Sequence, residues 1–180
     1  ENMPVSPGTF VATVGRGRAY ADSPNTPEPS TFVDPSGPIT ITGLGGGHGR
    51  DSNPGNDGGS GGGGGQPAQS GGTGNQPGQN SSLPYVTNYG NNGGQGGPGD
   101  QGGGGGGAGE TGFAGAPGVG GNGQPIPNFP GPQLYTDMPG PLQSTVGTGW
   151  RDALGTAGTF AGGGGGGSSS PGAGGLGGGG

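Results

Sequence analysis

Residues 102–121 read GGGGGGAGETGFAGAPGVGG, and glycine recurs at every third position from Gly103 to Gly121. Three residues per turn is the period of the extended left-handed helix, which rises about 3.1 Å per residue. If one edge of such a helix is glycine, a second backbone can approach that edge closely. The N–H and C=O groups of both backbones then point sideways and can bond to each other. Residues 90–121 are therefore predicted to form adjacent polyglycine II helices joined by main-chain hydrogen bonds.

The same period appears on both sides of this stretch. It runs through 43–49 and 55–64, and glycine runs at 162–167 and 172–180 close the sequence. Collagen shares the period, but its triple helix needs a long unbroken repeat, and here the repeat fails at Gln124. A flexible Gly/Ser linker is the other structure with this composition.

The composition limits what kind of core is possible. Of 180 residues, 59 are glycine and 20 are proline, whereas Val, Ile, Leu and Phe together number 21. So few large apolar side chains bury too little surface to offset the entropy of an ordered chain. A lattice of backbone hydrogen bonds is the expected substitute. The predicted fold class is therefore other or mostly irregular: a packed polyglycine II helix bundle with a small N-terminal β element.

The first 42 residues differ from the rest and are predicted to form a small β-rich segment. β-branched and aromatic residues cluster at 9–14, 30–33 and 39–42, between glycines and prolines. We expect 9–14 to pair with 39–42. The predicted apolar cluster consists of Phe10, Val14, Phe32, Val33, Ile39 and Ile41. Residues 43–180 are assigned to the glycine-rich bundle, with loop inserts at 79–89 and 122–161.

The two inserts carry most of the remaining aromatic residues. Tyrosine and tryptophan bury a large area at small entropic cost and keep a polar group, which suits sugar rings or protein loops on a cell surface. The candidate binding residues are Tyr85, Tyr89, Phe129, Tyr135 and Trp150. The alternative is that Phe129, Tyr135, Trp150 and Phe160 pack together and cap the end of the bundle.

Charge and residue types argue against several other functions. The net charge is −6, lysine and cysteine are absent, and no apolar run is long enough to span a membrane. Nucleic-acid binders need a basic face, so neither a nucleic-acid partner nor membrane insertion is expected. With no cysteine, thiolate zinc sites are excluded, and no cofactor or metal is expected.

Catalytic residues are equally scarce. His48 is the single histidine and lies between two glycines, so little fixes its orientation. Residues 46–54 resemble one calcium-binding nonapeptide, with Asp51, Asn53 and Asp57 as possible ligands, but such repeats work in tandem. A polar turn is the alternative for these residues. We therefore expect a protein that is not an enzyme.

The order of the segments resembles the glycine-rich domain of phage tail fibres and adhesins. Residues 8–15, Ser30-Thr31-Phe32 and 39–43 match its opening strands, and 58–62, 102–109 and 159–167 match its glycine tracts. The resemblance implies packed polyglycine II helices whose loops attach to a host surface. It further implies a location in the virion tail or outside the cell.

The expected partners follow from the same resemblance. They are other virion or filament subunits, and a host glycan or outer-membrane protein, in an oligomeric assembly. Two alternatives stay open: a subunit of an extracellular glycine-rich filament, and an ice-binding protein. The first residue is Glu1 rather than Met and the sequence ends in glycines, so we expect a processed product or a part of a longer protein.

Overall fold

The computed structural model describes residues 7–16, 27–34, 39–84, 86–115, 117–126 and 131–178. Most of this part of the chain lies outside helices and strands, as predicted for a mostly irregular fold. Its regular elements are two small antiparallel sheets, two α-helices and one turn of 3-10 helix at Gln76–Gly78.

The N-terminal sheet contains β1 (Val11–Thr13), β2 (Ser30–Val33) and β3 (Thr40–Gly43), in the order β1-β2-β3. The predicted pairing of 9–14 with 39–42 is wrong, because β2 lies between β1 and β3 and pairs with both. Strands that follow each other in sequence usually pair as neighbours, so a meander forms.

Apolar contacts in this sheet are few. The rings of Phe10 and Phe32 stack, with centroids 5.4 Å apart, and Phe32 lies opposite Ile41 in the register. Ile39 is buried, but Val14 is 87% exposed. The predicted apolar cluster is therefore wrong for Val14, which follows the end of β1 and is not covered by any strand of the described residues.

From residue 44 the described chain runs back and forth in ten glycine-rich tracts, which we call the glycine bundle. They are numbered in chain order: tracts 1 (44–50), 2 (54–58), 3 (60–65), 4 (69–75), 5 (89–97), 6 (101–107), 7 (111–115), 8 (118–123), 9 (161–167) and 10 (171–177). Consecutive tracts run in opposite directions, while tracts two apart, such as 3 and 5, run parallel and also bond to each other.

Tract 6 is the centre of the bundle. Its successive amides donate to three different neighbours: Gly103 to tract 3, Gly104 to tract 7 and Gly105 to tract 9. One period later, Gly106 donates to tract 3, Gly107 donates to Glu110 just before tract 7, and Ala108, just after tract 6, donates to tract 9. Carbonyl oxygens of tract 6 accept amides from tracts 5 and 8, so five tracts surround it. The lateral main-chain bonding predicted for 90–121 is therefore present in the described residues.

Backbone packing takes the place of a hydrophobic core. Among the described residues the buried large apolar side chains are Ile39 and Leu154. The interior is glycine instead: a Cβ atom on Gly63 would lie 1.9 Å from the carbonyl oxygen of Gly103. No side chain fits at that distance, so one of the two facing residues must be glycine, as Gly104 is where a Cβ atom would lie 2.0 Å from the Val119 carbonyl oxygen.

The insert at 122–161 is predicted as a loop, and in this respect the prediction is wrong. It contains α1 (Gly131–Asp137) and α2 (Gly140–Leu154). Pro132 and Pro141 lie in the first turns of these helices, where the missing N–H has no bond to lose and the fixed φ suits a helix. The two-stranded sheet of β4 (Gln124–Pro125) and β5 (Thr159–Phe160) joins the insert to the bundle.

Candidate binding surface at the insert end

The two ends of the glycine bundle carry different structures. At one end, short connections at 51–53, 66–68, 98–100 and 168–170 join the tracts. The other, which we call the insert end, carries the segment 76–88, the helical insert and the junction with the N-terminal sheet. This follows from the pairing of the tracts, since Gln76 bonds to Gly59 and Gly109 bonds to Asn122. Both predicted inserts therefore lie at the same end.

A cluster of three amide side chains holds the segment 76–88 against the N-terminal sheet. Gln76 accepts the Leu44 amide at 2.7 Å and donates to the Thr42 carbonyl at 3.0 Å. Asn80 accepts the Thr42 amide and donates to the Thr42 carbonyl, both at 2.9 Å. Gln76 and Asn80 also donate to the Asn88 side-chain oxygen, at 3.0 and 2.9 Å. The cluster thus satisfies the backbone at the point where β3 becomes tract 1.

Tyr135 links the two helices of the other insert. Its hydroxyl donates to the carbonyl oxygen of Gln143 at 3.3 Å, and the guanidinium of Arg151 lies 5.7 Å from its ring centroid. The Gln143 side chain returns a bond to the Met138 carbonyl at 2.9 Å. Contacts of a cation with an aromatic face are worth about 0.5–1 kcal/mol at exposed sites. These contacts join α1 and α2 into one helical hairpin.

The structure places three of the five predicted binding residues. Tyr89, at the start of tract 5, is 47% exposed, and Tyr135 is half-buried within the hairpin. Trp150 lies in α2, and its side chain is outside the described part of the structure. Tyr85 and Phe129 lie outside the described residues, as do the side-chain contacts of the proposed aromatic cap that involve Phe129 or Trp150.

Several large apolar side chains are exposed at the insert end. Besides Tyr89, these are Ile126 after β4, Leu142 in α2 and Leu176 in tract 10, with exposures of 40%, 53% and 67%. They share this end with the half-buried Tyr135 and with Arg151. Exposed apolar residues that form a contiguous patch with a polar rim are typical of surfaces that bind a partner, whereas single exposed apolar residues are common on any protein.

Two aspartates among the described residues bond to groups in neighbouring parts of the bundle. Among the described residues no three His, Cys, Asp or Glu side chains come together. Asp57 accepts the Thr73 amide at 2.6 Å, and Asp51 accepts the Gln66 side chain at 3.4 Å. Both aspartates therefore cross-link neighbouring parts of the bundle. None of the described helices has the length and hydropathy needed to cross a membrane.

Two features of this end were missed by the sequence analysis. The amide cluster of Gln76, Asn80 and Asn88 has a signal in hindsight, because amide side chains carry both a donor and an acceptor and can bond to a backbone in either sense. Arg151 is one of four basic residues in the sequence, and the scarcity of basic residues was the signal that it has a specific partner.

Comparison with known proteins gives no match to any family model, curated protein or solved structure.

Proposed function

We propose that the ten tracts are polyglycine II helices and that the chain is a structural and adhesive component of a phage tail fibre. The observation that carries the first part is the bonding of tract 6, whose successive amides donate to three neighbours and repeat after three residues. A helix with three residues per turn points its amides in three directions about 120° apart, with a rise of about 3.1 Å per residue.

The second part rests on the division of the molecule into a glycine bundle and its insert end. The bundle is held by main-chain bonds and presents few side chains, so it discriminates poorly between partners. The insert end presents Tyr89, Leu142 and the hairpin of α1 and α2. Loops on a rigid scaffold are where recognition usually lies. The proposed role is therefore attachment to a host glycan or outer-membrane protein, or to another virion subunit, and not catalysis.

This proposal is tested by the binding of single variants to outer-membrane vesicles from a panel of Gram-negative bacteria. The labelled chain is expected to bind vesicles of at least one host, and Tyr89→Ala and Leu142→Ala are expected to weaken that binding about tenfold, a loss of about 1.4 kcal/mol. Ser52→Ala, an exposed change in the connection 51–53 at the opposite end of the bundle, is the matched control.

Two outcomes would count against the proposal. Unchanged vesicle binding by Tyr89→Ala and Leu142→Ala, with both variants folded, would show that the insert end does not bind the host surface. A solved structure in which the tracts have φ and ψ far from about −75° and +145° would show that they are not polyglycine II helices.

A further inference from the structure

A long groove runs along one side of the glycine bundle. Two recesses, of about 550 and 310 Å³, share Gly47, Gly105 and Gly164 in their walls and so form one continuous channel, which we call the glycine groove. Tract 6 forms its floor, and tracts 1, 3 and 9 form its walls. The groove extends from Asp100 at one end of the bundle to Tyr89 at the insert end.

The groove occupies a definite position in the packing of the tracts. Tract 6 bonds to tracts 3, 5, 7, 8 and 9, whereas a helix in a hexagonal array has six neighbours. The sixth position, between tracts 3 and 9, is open. A Cβ atom on Gly105 would point into it, since its nearest atoms are the amide nitrogen of Gly164 in tract 9, at 3.4 Å, and the carbonyl oxygen of Gly61 in tract 3, at 3.8 Å.

The backbone groups facing this position lack partners. Gly63 is buried, yet its amide makes no hydrogen bond among the described residues, and the same holds for the buried carbonyl oxygens of Gly103 and Gly106. More than about 90% of buried backbone groups in native structures are paired. Other lining groups without a backbone partner include the amides of Ser60, Gly164 and Gly167 and the carbonyl oxygens of Gly47 and Arg50.

These groups form a regular pattern. Tracts 3 and 9 offer amide donors, tracts 1 and 6 offer carbonyl acceptors, and the members of each set are three residues apart in sequence. A helix with three residues per turn placed in the groove would accept hydrogen bonds from the amides of tracts 3 and 9. It would donate hydrogen bonds to the carbonyl oxygens of tracts 1 and 6. All four sets would then be satisfied in the way that the bundle satisfies its own tracts.

We propose that the glycine groove binds an extended glycine tract of a partner chain, which completes the packing as an eleventh polyglycine II helix. The tract must be glycine because each wall would approach it as closely as the tracts approach one another. Outside the described residues this sequence contains no run of three glycines, so residues 1–180 leave no further glycine tract to fill the groove. The inference rests on the helices proposed above and is independent of host attachment.

The test uses the full chain and a labelled peptide that copies residues 101–110, read as fluorescence anisotropy. Gly105→Leu fills the groove from its floor, and Thr111→Leu places the same side chain on an exposed position of tract 7 as a control. The peptide is expected to bind the native chain and Thr111→Leu equally, and Gly105→Leu at least about tenfold more weakly. A peptide with alanine at every glycine position is expected not to bind.

Hydrogen exchange of the native chain keeps the test valid if Gly105→Leu does not fold. Added peptide is expected to slow exchange of the Ser60, Gly63, Gly164 and Gly167 amides, and unchanged exchange of all four would overturn the proposal. Equal binding by Gly105→Leu would also overturn it. So would sedimentation that shows the native chain alone forming dimers that Gly105→Leu abolishes, since a second copy would then occupy the groove. Failure of vesicle binding with peptide binding intact would refute host attachment and would not affect the proposed binding of a glycine tract in the glycine groove.

Discussion

A Cβ atom on Gly112 would lie 2.0 Å from the carbonyl oxygen of Gly104, the same oxygen that accepts the Gly94 amide at 2.8 Å. Gly112→Ala therefore forces tracts 6 and 7 apart and strains the bond from tract 5. Overpacking of an interior costs about 1–3 kcal/mol, and we expect a loss of at least this size in the free energy of unfolding. Denaturant melts of the purified chain measure it.

The matched control for this variant is Gly46→Ala. A Cβ atom on Gly46 meets no other atom within 4 Å, so the substitution adds no clash and restricts the unfolded chain. Such changes typically stabilise by about 0.4–1 kcal/mol. Similar melting shifts for Gly112→Ala and Gly46→Ala would contradict the backbone-packed interior.

Asn80→Gly is expected to weaken the attachment of the N-terminal sheet to the bundle, with the Gln76 bonds to Leu44 and Thr42 left in place. Asn80 has φ of +52°, a conformation that glycine adopts without strain, so the variant removes the side chain and keeps the turn. The Thr42 amide and carbonyl then lose their 2.9 Å partners. Hydrogen exchange at Thr42 should accelerate about tenfold for each 1.4 kcal/mol lost. Asn75→Gly, on an exposed residue before the same 3-10 turn, is the control and should leave exchange at Thr42 unchanged.

Removal of the helical insert is expected to leave the glycine bundle folded. Ile126 donates to the Gly158 carbonyl at 2.9 Å beside the β4–β5 pair, so an Asn-Gly turn can join residues 126 and 158 as in a two-residue hairpin. The melting temperature should fall by a few degrees, because the bond from Gly177 to Ala153 is lost. Vesicle binding should disappear. An unfolded product would show that the insert is part of the folding core.

Leu154→Ala is expected to destabilise the insert far more than Leu142→Ala. Leu154 is 4% exposed, whereas Leu142 is 53% exposed. Large-to-small changes at buried sites cost about 2–5 kcal/mol, and an exposed leucine loses little. Proteolysis rates within residues 131–154 measure the difference. Equal rates in the two variants would mean that Leu154 does not anchor the hairpin to the bundle.

The glycine period predicted the bundle because in this protein the backbone itself makes the contacts. Gly93 and Gly112, which the period places on a close edge, each show a carbonyl oxygen at 2.0 Å from a Cβ position. The period does not locate every contact, since Gly115, in the same phase as Gly112, meets no atom within 4 Å. The three N-terminal strands were also recognisable, since β-branched residues mark them. Tyr89 and Tyr135 were identified from residue type and do lie at the insert end.

Other features depend on contacts that one-dimensional patterns do not contain. Pro132 and Pro141 indicate a loop when only the sequence is considered, whereas in the structure each lies in the first turn of a helix. The order of the N-terminal strands depends on which strand lies between the other two. The position of Val14 depends on the absence of a covering strand, and the glycine groove depends on the arrangement of four tracts that are far apart in sequence.

The central position of tract 6 imposes an order on the synthesis of the molecule. Tracts 3 and 5 are synthesised before or with tract 6 and can bond to it at once. The amides of Gly102, Gly105 and Ala108 have their acceptors in residues 161–167, which are synthesised after the whole helical insert. A nascent chain paused within the insert therefore displays the unpaired amides of Gly102, Gly105 and Ala108, which can donate to backbone carbonyl oxygens of a chain on another ribosome. The bonds of tract 6 are complete only after the tracts that follow the insert have formed. The delay between synthesis of the insert and synthesis of these tracts therefore determines whether a chain folds correctly or aggregates.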